Sequence, residues 1–383
     1  MNFQFSPEQE LIRKAAREFA EEVVRPRVQE MEEGQYILDD LFRLMGEVGF
    51  LGVLIPQEYG GTNLGTLGAV LVVEEISRIS AALGTGLQVH CLGLLPVVKF
   101  ATPACKEKYL PGLATGKYIA TGSITEASGG SDPTTMSTVA VQDGDSWVIN
   151  GRKCFITLNK TANTTWVTTC TKEGKRREFT TFFVDKSMEG YKEGRLENKT
   201  GMHGLDNGEV VFKNCRVPDT NVLLGVGRGL PVALTAIGRM GRMGMACAAL
   251  GTIQASLEAA VKFANERVLY GRPIAYLQGV QFKIAEMAYL LETSRLLVYK
   301  AAWLTDQNMP DAELAPKVAM AKYVATQSAI KASDLAVEIL GGYGVVREYN
   351  TERYLRDARM IWAAAGTGDI MQLTVAREAL KLK

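Results

Sequence analysis

Histidine is scarce in this 383-residue sequence, which holds only His90 and His203. The six cysteines (Cys91, Cys105, Cys154, Cys170, Cys215 and Cys247) include no close C-x-x-C pair, so the ligand set of a zinc site is missing and no metal is expected. An excess of one charge is also lacking: 43 Lys plus Arg stand against 42 Asp plus Glu. Nothing in that balance draws the whole chain to nucleic acid or to an anionic membrane, and any anion site must be local. No segment reaches the roughly 18 uncharged apolar residues of a membrane span. Residues 1–7 contain no basic stretch followed by an apolar run. Thiols used in this way suit a reducing compartment, and the expectation is a cytoplasmic protein.

What is present divides the chain into three regions. Ser6-Pro7-Glu8-Gln9 offers an N-cap hydroxyl, a first-turn proline and a capping-box glutamine ahead of Leu11, Ile12, Ala15, Phe19 and Val23 at helical spacing. Helical patterning continues through Leu67 to Ile79 and Leu92 to Phe100, broken by the turn Pro56 to Gly61. From Tyr118 the period shortens. Val139 to Val141 leads through Asp143-Gly144 to Trp147-Val148-Ile149, and Asn150-Gly151 reads as a second turn into Lys153 to Thr157. Further strands are expected at Trp166 to Thr171, Phe179 to Val184 and Val210 to Val217, without the intervening helices that build a parallel sheet. After the glycine-rich 225–229, helices return, including Val318 to Leu340, which stops at Gly341-Gly342. The fold class is therefore α+β, with a helical domain over 1–117, a β-domain over 118–227 and a C-terminal helical domain over 228–383.

The run Ile124-Thr125-Glu126-Ala127-Ser128-Gly129-Gly130-Ser131-Asp132 is polar and glycine-rich, so its amides and hydroxyls can face a flavin edge or a phosphate, or form an ordinary loop. It resembles the TExxxGSD signature of acyl-CoA dehydrogenases. Further matches follow in that family's order: Trp147 to Lys153, Phe155-Ile156-Thr157, Arg267, Gln278, Ile339 to Gly342 and Arg356-Asp357-Ala358. Dispersed motifs in the right order are far more specific than one glycine motif.

The resemblance implies FAD, a four-helix C-terminal domain and an acyl-CoA substrate. It places Ile124, Thr125, Gly130, Ser131, Phe155 and Thr157 at the flavin and pyrophosphate, with Thr367 and Asp369 joining the cofactor contacts. Arg267 and Gln278 match positions that reach FAD of a neighbouring subunit, with Gly341 and Gly342 allowing close backbone approach, which implies a homotetramer; Tyr270 and Glu338 also match cofactor positions. Ser131, Arg242 and Ala364 match positions near the substrate. Electrons would leave to an electron-transferring flavoprotein or another carrier. Two positions depart from the pattern: Glu338 stands for a glutamine, and His203 for an arginine.

The largest departure concerns the proton acceptor. A dehydrogenase of this type removes a proton beside the thioester carbonyl, which requires a positioned base. The usual glutamate falls on Ala365, and the alternative position used by some relatives falls on Gly241. The chain resembles cyclohex-1-ene-1-carboxyl-CoA dehydrogenases in lacking that glutamate. In those enzymes an aspartate takes a more distant ring proton, and its place here falls on Cys91. The expectation is a 1,4-elimination giving a cyclic diene, with Cys91 facing the substrate. A 1,2-dehydrogenase with a relocated base, an acyl-CoA isomerase and a weakened FAD- and acyl-CoA-binding homologue are the alternatives. A free thiol has a pKa near about 8.5, so Cys91 can act as a base only where its surroundings lower that value; otherwise it is a small core hydrophobe.

Overall fold

Ser6 begins the first helix as its sequence predicts. In a computed structural model, which describes residues 4–174 and 177–382, helix α1 (Pro7–Phe19) is capped reciprocally. The Gln9 N–H donates to Ser6 Oγ at 3.2 Å and the Ser6 N–H to Gln9 Oε1 at 2.9 Å. Both amides would otherwise be unpaired at the helix start. Ile12, Ala16 and Phe19 form its buried stripe.

Helices α2 (Val28–Gly34), α3 (Asp39–Glu47), α4 (Gly65–Ile79), α5 (Ala81–Phe100) and α6 (Pro103–Thr115) complete the N-terminal region. α4 and α5 are buried nearly all round, the property of helices that form a core rather than cover one. α5 and the stretch Gly229–Glu266 do have the length and apolar character of a membrane span, contrary to the sequence expectation. Burial of 89% and 72% of their most apolar windows inside the protein accounts for that character.

The middle region is a sheet of β1 (Ala120–Ser123), β2 (Val139–Asp143), β3 (Ser146–Thr157), β4 (Thr164–Lys172), β5 (Glu178–Asp185), β6 (Tyr191–Leu196), β7 (Asn207–Pro218) and β8 (Val222–Leu223). Its order is β6-β7-β3-β2-β4-β5-β8, with β1 alongside β4. The expected Asp143-Gly144 turn closes β2 on β3, pairing Asp143 with Ser146. Asn150-Gly151 is not a second turn. β3 runs through it and pairs with β7 on both sides, leaving a register shift between Ile149 and Gly151. The pair marks a bulge, where Gly151 takes φ +154° and lies so close to Thr138 that a Cβ there would meet its Oγ1 at 2.4 Å. The β1–β4 pairing is parallel, which the sequence did not suggest.

The C-terminal region comprises α7 (Gly229–Ala236), a wide helical turn over Ile237–Gly241, α8 (Arg242–Glu266), a small hairpin of β9 (Val268–Leu269) and β10 (Arg272–Pro273), α9 (Gln278–Asp306), α10 (Asp311–Leu340), α11 (Thr351–Ala363) and α12 (Gly368–Ala379). One apolar core joins α1, α4 and α5 to α8, α9 and α10, while α5, α6 and α7 cover β4 and β5 in a second. α5 therefore lies at the junction of all three regions.

Two polar contacts fix α5 at that junction. Pro96 lacks an N–H, so it cannot bond the carbonyl of Leu92, which instead accepts Trp166 Nε1–H from β4 at 3.3 Å. One turn earlier, Gln88 Nε2 donates to the Met240 carbonyl in the wide turn, at 2.9 Å.

Candidate active site

The loop after β1 is held from below by a buried ion pair. Lys153 is 0% exposed, and its Nζ donates to Glu126 Oε1 at 2.7 Å and to the Ile124 carbonyl at 3.1 Å. The Glu126 carboxylate also accepts the amides of Ser137 and Thr138 at 2.6 and 3.0 Å and the Ser137 hydroxyl at 2.6 Å. Burial alone would raise its pKa, but the ammonium and these hydrogen bonds hold it down to about 2. The pair fixes the backbone of Ile124 and Thr125, and the Cys154 N–H donates to the Thr125 carbonyl at 2.9 Å.

Phe155 follows directly and points outward. Strand alternation would place it on the same face as Lys153, yet a register shift between Lys153 and Ile156 and a φ of +56° turn it to 64% exposure. Asn207 Nδ2 donates to its carbonyl at 3.1 Å and to Thr157 Oγ1 at 3.0 Å. An open aromatic face thus stands beside Thr125 and Thr157, a platform suited to a flat heteroaromatic ring. Gly130 packs on Thr125, whose Oγ1 would lie 2.9 Å from an added Cβ. Ser131 is exposed at the outer end of the loop.

Arg267, Tyr270, Gln278, Glu338, Gly341 and Gly342 lie elsewhere, about the β9–β10 hairpin and the end of α10. The Arg267 guanidinium sits 5.6 Å from the Tyr343 ring centroid, and Tyr343 packs on Phe263 and Tyr349. Tyr270 is 91% exposed, Gln278 is exposed at the start of α9, and Glu338 pairs with Lys283. Gly341 has φ +59°, and space is open beside both it and Gly342. Among the described residues, no hydrogen bond or ring contact joins this surface to Thr125 or Phe155 within one chain.

The third group surrounds Ala365. A Cβ built on Gly241 would lie 3.6 Å from Ala365 Cβ, 3.6 Å from Ile237 Cγ2 and 2.9 Å from Leu92 Cδ1. The two positions at which the resemblance implies a base therefore face each other, and neither carries a carboxylate. Ala365 has φ +55° between α11 and α12. Ala364 is exposed beside it, Thr367 Oγ1 caps α12 by accepting the Ile370 N–H at 3.4 Å, and Asp369 is exposed in that helix's first turn.

Cys91 does not meet its expectation. It is 0% exposed, packed in the main core, and burial pushes its thiol up to about 12. At neutral pH only about one molecule in 10^5 would carry the thiolate. The neighbouring side chain, Leu92, is the one that approaches Gly241, because adjacent helical residues diverge by about 100°. His90 is also fully buried, with Nδ1 accepting the Ala120 N–H at 3.2 Å, and burial pushes its imidazole down to about 4.

Two cations that the motifs did not single out as a pair lie under Ala365. Lys322 Nζ on α10 is 0% exposed and donates to the carbonyls of Trp362 and Gly366 at 2.9 and 2.5 Å, clasping both ends of the loop. Burial, and secondarily the charge of Arg242, lower its pKa to about 8. Arg242 is half-buried, its pKa is lowered by burial, and its Nε has no hydrogen-bond partner. No ion pair involves either cation among the described residues.

The Arg356-Asp357-Ala358 motif serves structure. Asp357 is buried and accepts the Met202 N–H at 2.5 Å, and burial pushes its carboxyl up to about 6. His203, in the same loop, contacts the Lys199 carbonyl through Nε2 at 3.0 Å.

Comparison with known proteins covers the whole chain. Residues 6–117, 121–215 and 227–380 match the models for the acyl-CoA dehydrogenase N-terminal, middle and C-terminal domains respectively. An acyl-CoA dehydrogenase of Bacillus subtilis (strain 168) is 37% identical over 97% of this chain and 98% of its own. An acryloyl-CoA reductase (NADH) of Anaerotignum propionicum is 34% identical over 100% of this chain and 96% of its own. Among solved structures, butyryl-CoA dehydrogenase from Megasphaera elsdenii superposes with a TM-score of 0.96 at 31% identity, covering 99% of this chain and 100% of that one.

Proposed function

Because the chain belongs to the acyl-CoA dehydrogenase family, we propose that its FAD-dependent dehydrogenation of an acyl-CoA acts on an alicyclic acyl group. Cyclohex-1-ene-1-carboxyl-CoA, converted by 1,4-elimination to a cyclic diene, is the substrate type. The supporting observation is that Gly241 and Ala365 face each other, 3.6 Å between a Cβ built on the glycine and the Cβ of the alanine, and that neither carries a carboxylate. A glutamate at either would support ordinary elimination beside the thioester.

The cofactor of the family is FAD, and the residues fit it. Phe155 offers an open ring face, Thr125 and Thr157 stand beside it, and the buried Lys153–Glu126 pair fixes the loop that carries Thr125. When bound, FAD supplies the hydride acceptor. The chain's own contribution is to orient: Asn207 holds Phe155 and Thr157, and Lys322 holds the Trp362–Gly366 loop against the substrate side. We assign Ile124, Gly130, Ser131, Thr367 and Asp369 to the same cofactor, and Arg267, Tyr270, Gln278, Glu338, Gly341 and Gly342 to FAD of a neighbouring subunit in a homotetramer. Electrons pass to an electron-transferring flavoprotein in the cytoplasm.

With Cys91 protonated, abstraction of the ring proton is slow. That favours a second reading in which the chain binds FAD and acyl-CoA with weakened turnover. Anaerobic bleaching of the holoenzyme's flavin by a panel of thioesters separates the two. The first reading requires bleaching by cyclohex-1-ene-1-carboxyl-CoA faster than by butyryl-CoA; no bleaching by any thioester leaves only the second.

A further inference from the structure

The surroundings of Ala365 carry positive charge that no ion pair balances among the described residues. Gly241 and Arg242 run alongside Ala365 and Gly366 so that the two blank positions face each other and the guanidinium faces the glycine. Arg242 Nε lies 4.0 Å from where a Cβ on Gly366 would sit. Lys322 reaches the same loop from below, and both of its bonds go to neutral carbonyls. No carboxylate contributes to the lowered pKa of either cation. A buried guanidinium N–H without a partner is costly, and Arg242 Nε is one, so an acceptor arriving with a ligand would be bound there.

We propose that the space beside Ala365 is a carboxylate-binding site, in which Arg242, supported by Lys322, holds a carboxylate brought by a ligand in place of one belonging to the chain. Gly241, Leu92 and Ile237 border Ala365 with apolar groups, so the carboxylate that the chain does not supply at Ala365 or Gly241 comes from the ligand. The source is either a free small carboxylate or a carboxyl group on the acyl portion of the thioester. A free carboxylate held there also serves as a proton acceptor. On a saturated acyl group, which carries hydrogen on the carbon beside the thioester, that C–H bond breaks, the proton forms an O–H bond on the carboxylate, and the electron pair stays on the acyl group as the enolate. This inference rests on the acyl-CoA reading above.

The test uses the FAD-loaded enzyme. Its thermal midpoint is measured in sodium formate and in sodium chloride at equal ionic strength, for the wild type, Ala365→Glu, Arg242→Lys and Arg242→Met. The site predicts a saturable, formate-specific rise in the wild type and at least about tenfold weaker formate binding in Ala365→Glu and Arg242→Met, with Arg242→Lys between them. A second readout is deuterium uptake from solvent at the carbon beside the thioester of butyryl-CoA. Formate should accelerate it in the wild type and leave Ala365→Glu unchanged. A dicarboxylyl-CoA that binds at least about tenfold more tightly than its monocarboxylyl counterpart, and loses that advantage in Ala365→Glu, identifies the acyl group as the source. Equal formate effects in wild type and Ala365→Glu overturn the proposal. So does an Arg242→Met variant that loses affinity for free coenzyme A while keeping its formate response, since Arg242 then serves a phosphate. Formate binding without flavin bleaching by any thioester retains the carboxylate site and rejects the dehydrogenase reading.

Discussion

Gly241 and Ala365 face each other closely enough that one methyl group on the glycine would touch the alanine, at 3.6 Å between Cβ positions. The two positions at which the resemblance to the family implies a base thus lie side by side. Here both are empty. Ala365→Glu is therefore expected to create elimination beside the thioester of butyryl-CoA, raising its rate about 10²–10⁴-fold, the usual contribution of a general base. Gly241→Glu should need Leu92→Ala alongside it, because its Cβ would lie 2.9 Å from Leu92 Cδ1. Steady-state rates of the three variants check this.

Cys91→Ala should leave flavin bleaching within about twofold of wild type, since a thiol raised to about 12 by burial contributes no base at neutral pH. The same burial predicts no reaction of Cys91 with iodoacetamide in the native enzyme, read by mass spectrometry of the alkylated peptide. Cys91→Asp tests the opposite case: a rise in bleaching by cyclohex-1-ene-1-carboxyl-CoA would show that the position reaches the ring.

Lys153→Met should destabilise the protein by about 3–5 kcal/mol, because it leaves the Glu126 carboxylate buried without its cation. Lys153→Met with Glu126→Gln should recover part of that loss. Urea unfolding of the two variants is the measurement, with FAD retention recorded in parallel.

Phe155→Ala should separate folding from cofactor binding. The ring is 64% exposed, so its removal costs little stability, while FAD affinity falls a few-fold to about tenfold through loss of ring stacking. Calorimetric unfolding of the apoprotein and FAD titration read the two effects.

Lys322 gives a pH dependence with a definite sign. Its folded-state pKa of about 8 lies below the ordinary lysine value of 10.5, so between those values the unfolded chain holds the proton and the folded chain does not. The unfavourable burial of its charge is present in full below pH 8 and is relieved as pH rises through that window. The stability of wild type relative to Lys322→Met should therefore increase from pH 8 to 10.5, measured by urea unfolding at several pH values.

How much of this was legible in the sequence depended on the range of the interactions. The Ser6–Gln9 cap, the Asp143-Gly144 turn and the stop of α10 at Gly341 are local, and the sequence located each. The flavin-side residues were legible through their motifs. Asn150-Gly151 was misread as a turn because a bulge there carries β3 straight on, and the separate register shift between Lys153 and Ile156 that turns Phe155 outward left no sequence signal. Contacts made across regions left no local signal. Lys153 with Glu126, Lys322 with the Trp362 and Gly366 carbonyls, and the Leu92 carbonyl freed by Pro96 and taken by Trp166 are of this kind. For Cys91 the sequence left a base and a small core hydrophobe open; its burial in the core decides for the second, while a step of one residue, about 100° on a helix, brings Leu92 towards Gly241.

Anaerobic mixing of butyryl-CoA with the FAD-loaded wild type and with Ala365→Glu, followed by flavin absorbance, tests the central claim most directly. The account predicts negligible bleaching in the wild type and rapid bleaching in the variant. Equally rapid bleaching in both would mean that a base exists away from Gly241 and Ala365, and would contradict it.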